Sequence, residues 1–273
     1  MGIQTDDTLN LGNQEFIKKK QRKLEKAGFQ AKPQTIVKPG DEQSFNGCRI
    51  KLHEDGLEVR QKGQIDRLEA VKPNQVGSEH EFVVQRARGA YVASICQPEA
   101  AFDFAAAAQI TTPDKEDYEL INKRINWQLE NAQKGFSYVP VNLKEAKLFV
   151  FVDGSFANNK NLSSQIGFVI ILGNKSSDEQ EMGFRVTGNI LHWASNKCHK
   201  ITKSVLASEI YGMVSGFNIG FVLKIAIATI MDLLDLPPVL IIVCIDNLSL
   251  YQCLVQLGTT SEKRLIIDFL NLR

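Results

Sequence analysis

Paired-cysteine chemistry is missing from this sequence. Five cysteines (Cys48, Cys96, Cys198, Cys244 and Cys253) are dispersed over 273 residues, with no CxxC spacing and no histidine at metal-ligand distance beside them. No spacing therefore supports a zinc enzyme or a Ser- or Cys-based hydrolase. The odd count and the lack of a secretory leader pattern predict reduced thiols in an intracellular protein, cytoplasmic or nuclear and not secreted. Excess charge is missing too. With 32 Lys/Arg against 31 Asp/Glu the net charge is +1, which excludes a strongly basic nucleic-acid coat. It leaves room for an enzyme whose basic groups gather in one groove. Long clean apolar runs are also lacking. The best candidate, Ile219 to Leu234, carries Lys224 and Asp232 and falls short of the ~20 residues a bilayer span needs, so no membrane segment is expected. Asp6 stands where a myristoylation pattern needs Ser or Thr, and no internal repeat is visible.

What remains is a globular composition, 44% hydrophobic and 23% charged, at a length that suggests about two domains. The neutrality is a sum of unlike parts: residues 1–40 carry +4, residues 41–144 carry −3 and residues 145–273 carry zero. The leader contains a basic helix candidate over residues 13–28, ended by Gly28. It reads either as a solvated face on a packed helix or as a phosphate-facing helix. Alternation around His53-Glu-Asp-Gly56 predicts a β-hairpin joining 48–52 to 57–61. Helices are expected at 63–70, at 79–109 with a break near Pro98, and from Pro113 to about Gln133. The middle region thus reads as mostly helical with one hairpin.

After Asn142 the pattern changes. Leu148 to Asp153 is an apolar strand ending on a carboxylate, and Gln165 to Leu172 is a second strand. A third lies between Glu181 and Trp193, and Leu206, Ile210, Met213, Val214, Phe217 and Phe221 mark a helix. Val239 to Ile245 reads as a fully buried strand, including a buried thiol at Cys244, and it too runs into a carboxylate, Asp246. Helices at 247–257 and 262–272 complete a β-β-β-α-β-α-α order. The first three strands should be antiparallel and the fourth parallel after a helical crossover.

Three acids stand out by position: Asp153 and Asp246 at strand ends, and Glu209 inside the crossover helix. Taken singly, each has an ordinary reading as a surface residue, and Asp246 as a cap for the next helix. Together they lie where open α/β sheets place their sites, and carboxylates without His or Cys suit Mg²⁺ or Mn²⁺. Ser155, Asn158 and Asn159 follow the first acid and serve either a turn or a sugar-phosphate contact. Lys197, Lys200 and Lys203, with His199, form a small basic cluster able to meet phosphates. Trp193 is expected in the core.

These residues carry a resemblance. Phe149-Val-Phe-Val-Asp-Gly-Ser-Phe-Ala-Asn-Asn159, Ser164-Gln-Ile-Gly-Phe168, His192-Trp-Ala-Ser-Asn-Lys197, Ser204-Val-Leu-Ala-Ser-Glu-Ile-Tyr211 and Ile245-Asp-Asn-Leu-Ser249 resemble, in that order, the ribonuclease H domain of copia-like LTR retrotransposon polyproteins, the fungal ones in particular. Thr260-Ser-Glu-Lys-Arg-Leu-Ile-Ile-Asp268 resembles that family's helix after the third acid. The resemblance implies a ribonuclease H-like mixed sheet. It also implies that Asp153, Glu209 and Asp246 bind two metal ions to cut the RNA strand of an RNA–DNA hybrid. The first half resembles the end of the same polyprotein's reverse transcriptase: Gln4-Thr-Asp-Asp7 its paired-aspartate palm motif (Asp6 and Asp7), Phe45 through Gln61 the following hairpin, and Arg86-Ala-Arg-Gly-Ala-Tyr91, Cys96-Gln-Pro-Glu99 and Leu120-Ile-Asn-Lys-Arg124 the thumb and connection helices.

Measured against that family, three regions are expected: a palm remnant with its basic helix (1–40), a thumb or connection region (41–144), and a ribonuclease H-like domain without its last strand and fourth acid (145–273). DNA synthesis is not expected, because the other polymerase acid lies upstream of the family's paired aspartates. Two alternatives stand beside a metal-dependent ribonuclease: a noncatalytic nucleic-acid-binding remnant, and an inert retroelement fragment.

Overall fold

The computed structural model describes residues 2–4, 7–29, 34–177, 183–255 and 265–268. Two short strands, β1 (Gly2–Gln4) and β2 (Asp7–Leu9), pair antiparallel, with Asp7 opposite Gln4. Asp6 lies outside the described residues. The basic segment forms α1 (Gln14–Lys26), whose start is capped by Asn13 Oδ1 accepting from Phe16 N at 2.9 Å. None of its residues is buried, so this is a solvated helix and not a packed one.

The middle region is more sheet-rich than its sequence suggests. The expected hairpin is present as β4 (Cys48–Leu52) and β5 (Leu57–Gln61), but it is the centre of a four-stranded antiparallel sheet. One added neighbour is β3 (Glu42–Phe45), joined to β4 through Asn46-Gly47. Both turn residues take positive φ, 48° and 74°, which is the backbone a two-residue hairpin turn demands and which Asn and Gly adopt at least cost. The other neighbour is β6 (Phe136–Tyr138), which pairs with β5. The helix expected at 63–70 shrinks to one 3₁₀ turn, Ile65–Arg67.

Three helices follow β5, α2 (Ser78–Cys96), α3 (Ala101–Ala107) and α4 (Lys115–Glu130); α2 packs on β5, and α3 and α4 pack on α2 and on each other. The break near Pro98 is a 3₁₀ turn, and α4 opens with a capping box in which Asp114 and Asp117 bond each other's backbone N–H groups. Phe82, Phe104 and Ile125 anchor a core of their own, drawn from residues 65–125.

The second half has a mixed α/β architecture. Strands β7 (Lys147–Ser155), β8 (Gln165–Ser177) and β9 (Phe184–Lys197) are antiparallel neighbours. The long helix α5 (Val205–Leu233) then crosses over to β10 (Leu240–Cys244), which pairs parallel to β7, and α6 (Leu248–Val255) follows. The sheet order is β10-β7-β8-β9, which matches the expected pairing directions. Its core is built from Leu148, Val150 and Val152 of β7, Phe168 and Ile170 of β8, and Ile210 and Met213 of α5.

A glycine every fourth residue sets how closely α5 lies on β7. A Cβ on Gly212 would sit 2.9 Å from Asp153 O, on Gly216 2.5 Å from Val152 Cγ1, and on Gly220 2.8 Å from Val150 Cγ2. Side chains at these positions would lift the helix off the strand. By length and composition α5 is apolar enough to cross a membrane, with 29 residues and a mean hydropathy of 1.8 over its most apolar window, contrary to the reading of apolar runs above. Its glycine stripe, however, is spent on the sheet, and its first turns are buried there.

Polar pairs fasten the two halves. Asn189 exchanges two 2.8 Å bonds with the Val139 backbone, Asn174 bonds Asn142 in the same fashion, and Trp193 packs on Phe136 with ring centroids 5.0 Å apart. Trp193 is thus a packing residue between the halves.

Candidate metal centre

Asp153, Glu209 and Asp246, separated by dozens of residues in the chain, come together at one end of the sheet. Each offers a carboxylate oxygen, and these oxygens all lie within 4.8 Å of one another. The local chain explains how. Asp153 does not end its strand; β7 continues two residues to Ser155. The next residue, Gly154, lies against the first turn of α5, where a Cβ would be 2.4 Å from Ser208 O. Ser208, fully buried, donates its Oγ–H to Gly154 O at 3.0 Å. Ser204 caps the helix by accepting from Ala207 N at 3.2 Å. Strand and helix are therefore locked one residue away from both Asp153 and Glu209.

Glu209 is the buried member, 7% exposed, while Asp153 and Asp246 face solvent. Burial pushes its carboxyl up to about 7, and the charges of Asp153 and then Asp246 push the same way. Hydrogen bonds from the Asn247 side chain and the Gly154 backbone pull it partly back. Its Oε2 is buried with no hydrogen-bond partner among the described residues. A buried carboxylate oxygen with no donor, facing two further carboxylates, is a costly arrangement for a protein alone. A cation relieves it: three oxygens at this mutual spacing can share a hard ion whose ligands stand at ~2.0–2.6 Å. The residues present thus fit Mg²⁺ or Mn²⁺ and lack the sulfur and imidazole that zinc favours.

Asp246 has no capping duty. It sits two residues past β10, and the cap of α6 is Asn247, whose Oδ1 accepts from Leu250 N at 2.9 Å. The capping reading of Asp246 is therefore set aside. Asn247 is the site residue that sequence reasoning missed, although an Asn directly before an apolar helical run is a capping signal.

No protein-family model and no curated protein sequence matches the chain.

The residues proposed to meet nucleic acid fare unequally. Ser155 is the last residue of β7, not a loop residue, and its Oγ lies 3.5 Å from Gln165 O. Asn159 Nδ2 donates to Ser163 Oγ at 3.0 Å and to Gln165 Oε1 at 3.3 Å, so it braces its own loop. Asn158 is exposed. The loop itself is moored to the first half by Lys160, whose Nζ reaches Asp117 Oδ1 at 2.6 Å and Asp114 Oδ2 at 3.0 Å. Among the lysines, Lys197 is half-buried at the end of β9, and Lys200 bonds Asp268 at 3.2 Å and lies over the Tyr211 ring at 4.4 Å. Lys203 is exposed. Ser155, Asn159 and Lys200 thus have internal partners, which leaves Asn158 and Lys203 the freest to meet a ligand.

Proposed function

We propose that this chain is a metal-dependent nuclease of the ribonuclease H type, derived from a copia-like retroelement polyprotein, that hydrolyses the RNA strand of RNA–DNA hybrids. One observation carries the reading. Three acids from a strand, a crossover helix and the segment after a parallel strand converge, and the buried one keeps an oxygen without a hydrogen-bond partner among the described residues. The strand order β10-β7-β8-β9, with only β10 parallel, supports a ribonuclease H-like sheet.

Within this reading Asp153, Glu209 and Asp246 would together hold the ions. Bound there, Mg²⁺ or Mn²⁺ would supply the activation of water and the stabilisation of the leaving oxygen of a phosphodiester. The chain's own part is positional. The Gly154–Ser208 lock fixes the spacing of Asp153 and Glu209, and α6 begins one residue after Asn247 to fix Asp246. No side-chain nucleophile is needed. Asn158 and Lys203 are left to meet the hybrid's backbone, a positional and not a sequence-reading contact.

A labelled RNA–DNA hybrid with Mg²⁺ tests the reading, with the chain compared against Asp153→Asn. Cleavage lost in the variant is expected; identical cleavage by both refutes the assignment. A noncatalytic nucleic-acid-binding role is favoured by a different feature, the solvated basic helix α1, and would show as hybrid binding that falls steeply with salt and is unchanged by Asp153→Asn.

A further inference from the structure

We infer that Lys160 is a positioning residue for nucleic acid: it latches the loop after the first acid onto the first half of the chain, which thereby sets how tightly the hybrid is held. The inference rests on the hybrid-binding part of the reading above and deepens it.

The loop over residues 156–164 joins β7 to β8 and begins three residues after Asp153. Ala157 and Leu162 both stand in the left-handed region, at φ 53° and 58°. Residues with a Cβ keep that backbone only where their surroundings impose it. Three sets of contacts do so here. At the base, Ala157 N donates to Ser164 Oγ at 3.1 Å, and Ser164 Oγ lies 2.6 Å from Thr202 Oγ1, two residues before the cap of α5. At the side, Ser163 Oγ donates to Gln109 Oε1 at 3.2 Å, two residues past α3. At the tip, Lys160 reaches the start of α4.

The tip contact draws on both members of the capping box. Asp114 Oδ1 accepts from Asp117 N and Asp117 Oδ2 accepts from Asp114 N, so each carboxylate has one oxygen left. Both spare oxygens meet one ammonium: Lys160 Nζ is 2.6 Å from Asp117 Oδ1 and 3.0 Å from Asp114 Oδ2, with Glu116 in ion-pair range at 3.8 Å. The Asp117 side chain is only 3% exposed. Losing the cation would leave a buried charge uncompensated, a penalty that surface pairs escape. Lys160 is thus neutralised within the fold and is a poor phosphate contact itself. What it supplies is a loop already in place, with the exposed Asn158 two residues before the latch. Re-ordering even one loosened loop residue on binding weakens affinity on the order of tenfold.

The test is binding of a fluorescently labelled RNA–DNA hybrid to the full chain in chelator, followed by anisotropy well below the melting midpoint, with KM and kcat measured in Mg²⁺. Lys160→Met is expected to weaken binding about 10-fold and to raise KM alike with kcat unchanged. Lys160→Arg, which keeps a cation for both carboxylates, is expected to restore binding. The deciding variant is Asp117→Asn. It removes a negative charge, so charge alone would strengthen phosphate binding, whereas the latch requires weaker binding. Asp114→Asn, which keeps the helix cap, replaces it if Asp117→Asn fails to fold. Parent-like or tighter binding in Lys160→Met or in the folded Asp variant overturns the positioning role. A parent that binds the hybrid in chelator but does not cleave it in Mg²⁺ overturns the nuclease reading, and the binding series still decides the latch. A parent that binds no hybrid overturns both.

Discussion

Glu209→Gln exchanges a buried charge for a neutral amide of the same shape, and its effect on stability follows from the titration of that group. The carboxyl titrates at about 7 in the fold against an ordinary 4.5, chiefly because it is buried and secondarily because it faces Asp153 and Asp246. That interval corresponds to at most about 3 kcal/mol. The site opens to solvent at its two exposed acids, and screening there reduces the figure to about 2 kcal/mol. The sign is set by proton binding. Between the two values the folded chain holds a proton that the unfolded chain has released, so stability falls as pH rises through this window. Below 4.5 both states are protonated and the penalty is absent; above 7 it is fully present. Metal-free Glu209→Gln should therefore melt with the parent near pH 4.5. At pH 8 it should melt higher by about 5 °C, at roughly 2–4 °C per kcal/mol for a chain of this size. Mg²⁺ should reverse the ranking, since an ion at a hundred times its dissociation constant adds about 2.7 kcal/mol to the parent and little to the variant. The assay is thermal melting at both pH values, in chelator and in Mg²⁺. A variant no more stable than the parent at pH 8 in chelator, or an equal gain at both pH values, would refute the reasoning.

Two further outcomes test how the site is held. Gly216→Ala should lower stability by about 1–3 kcal/mol in chemical denaturation despite the better helix propensity of Ala, because its Cβ would sit 2.5 Å from Val152 Cγ1 and 3.2 Å from Val150 Cγ1. Lys160→Met should cost about 1–2 kcal/mol by leaving the buried Asp117 carboxylate without its cation, and adding Asp117→Asn should recover part of the loss in the same denaturation assay.

Sequence was most informative where a local rule and a long-range requirement coincided. The hairpin of β4 and β5, the helix after Pro113 and the strand β7 are legible because each has its signal within a few residues. The three acids stand out for another reason, their positions after two apolar strand runs and inside the crossover helix, and the fold brings their carboxylates within 4.8 Å of one another. The middle sheet as a whole was not legible. Its fourth strand, β6, has three residues and pairs with β5 across some 75 positions, so nothing local marks it. Its first strand did have a signal, the Asn46-Gly47 turn, which outweighs the polar residues of β3. Ser155 and Asn159 read either as turn residues or as sugar-phosphate contacts, and Asn159 meets the first description by bonding within its own loop. Both also lie against the buried Gln165, Ser155 at its backbone oxygen and Asn159 at its Oε1, while its amide donates to Ser195.

The apolar segments show why composition alone misjudges burial. Val239 to Ile245 reads as a fully buried strand with a buried Cys244 thiol, yet only Val239 is buried: Leu240 is exposed and the rest, Cys244 included, is half-buried, since β7 is the one strand neighbour among the described residues. The helix α5 divides in the same way. Gly212, Gly216, Gly220, Leu223, Ile227 and Met231 form an inward stripe three or four residues apart, whereas Val222, Ile225, Ile230 and Leu233 are exposed. At 1.5 Å per residue α5 is about 44 Å long, while the nine residues of β7 extend about 30 Å, so the helix must overrun the strand it covers. Apolar side chains state what surroundings suit a residue; the length of the neighbouring element decides how many of them receive it. The acid end of α5 lies where strand and helix are still in contact, which is why Glu209, one turn before Gly212, is the buried one of the three acids.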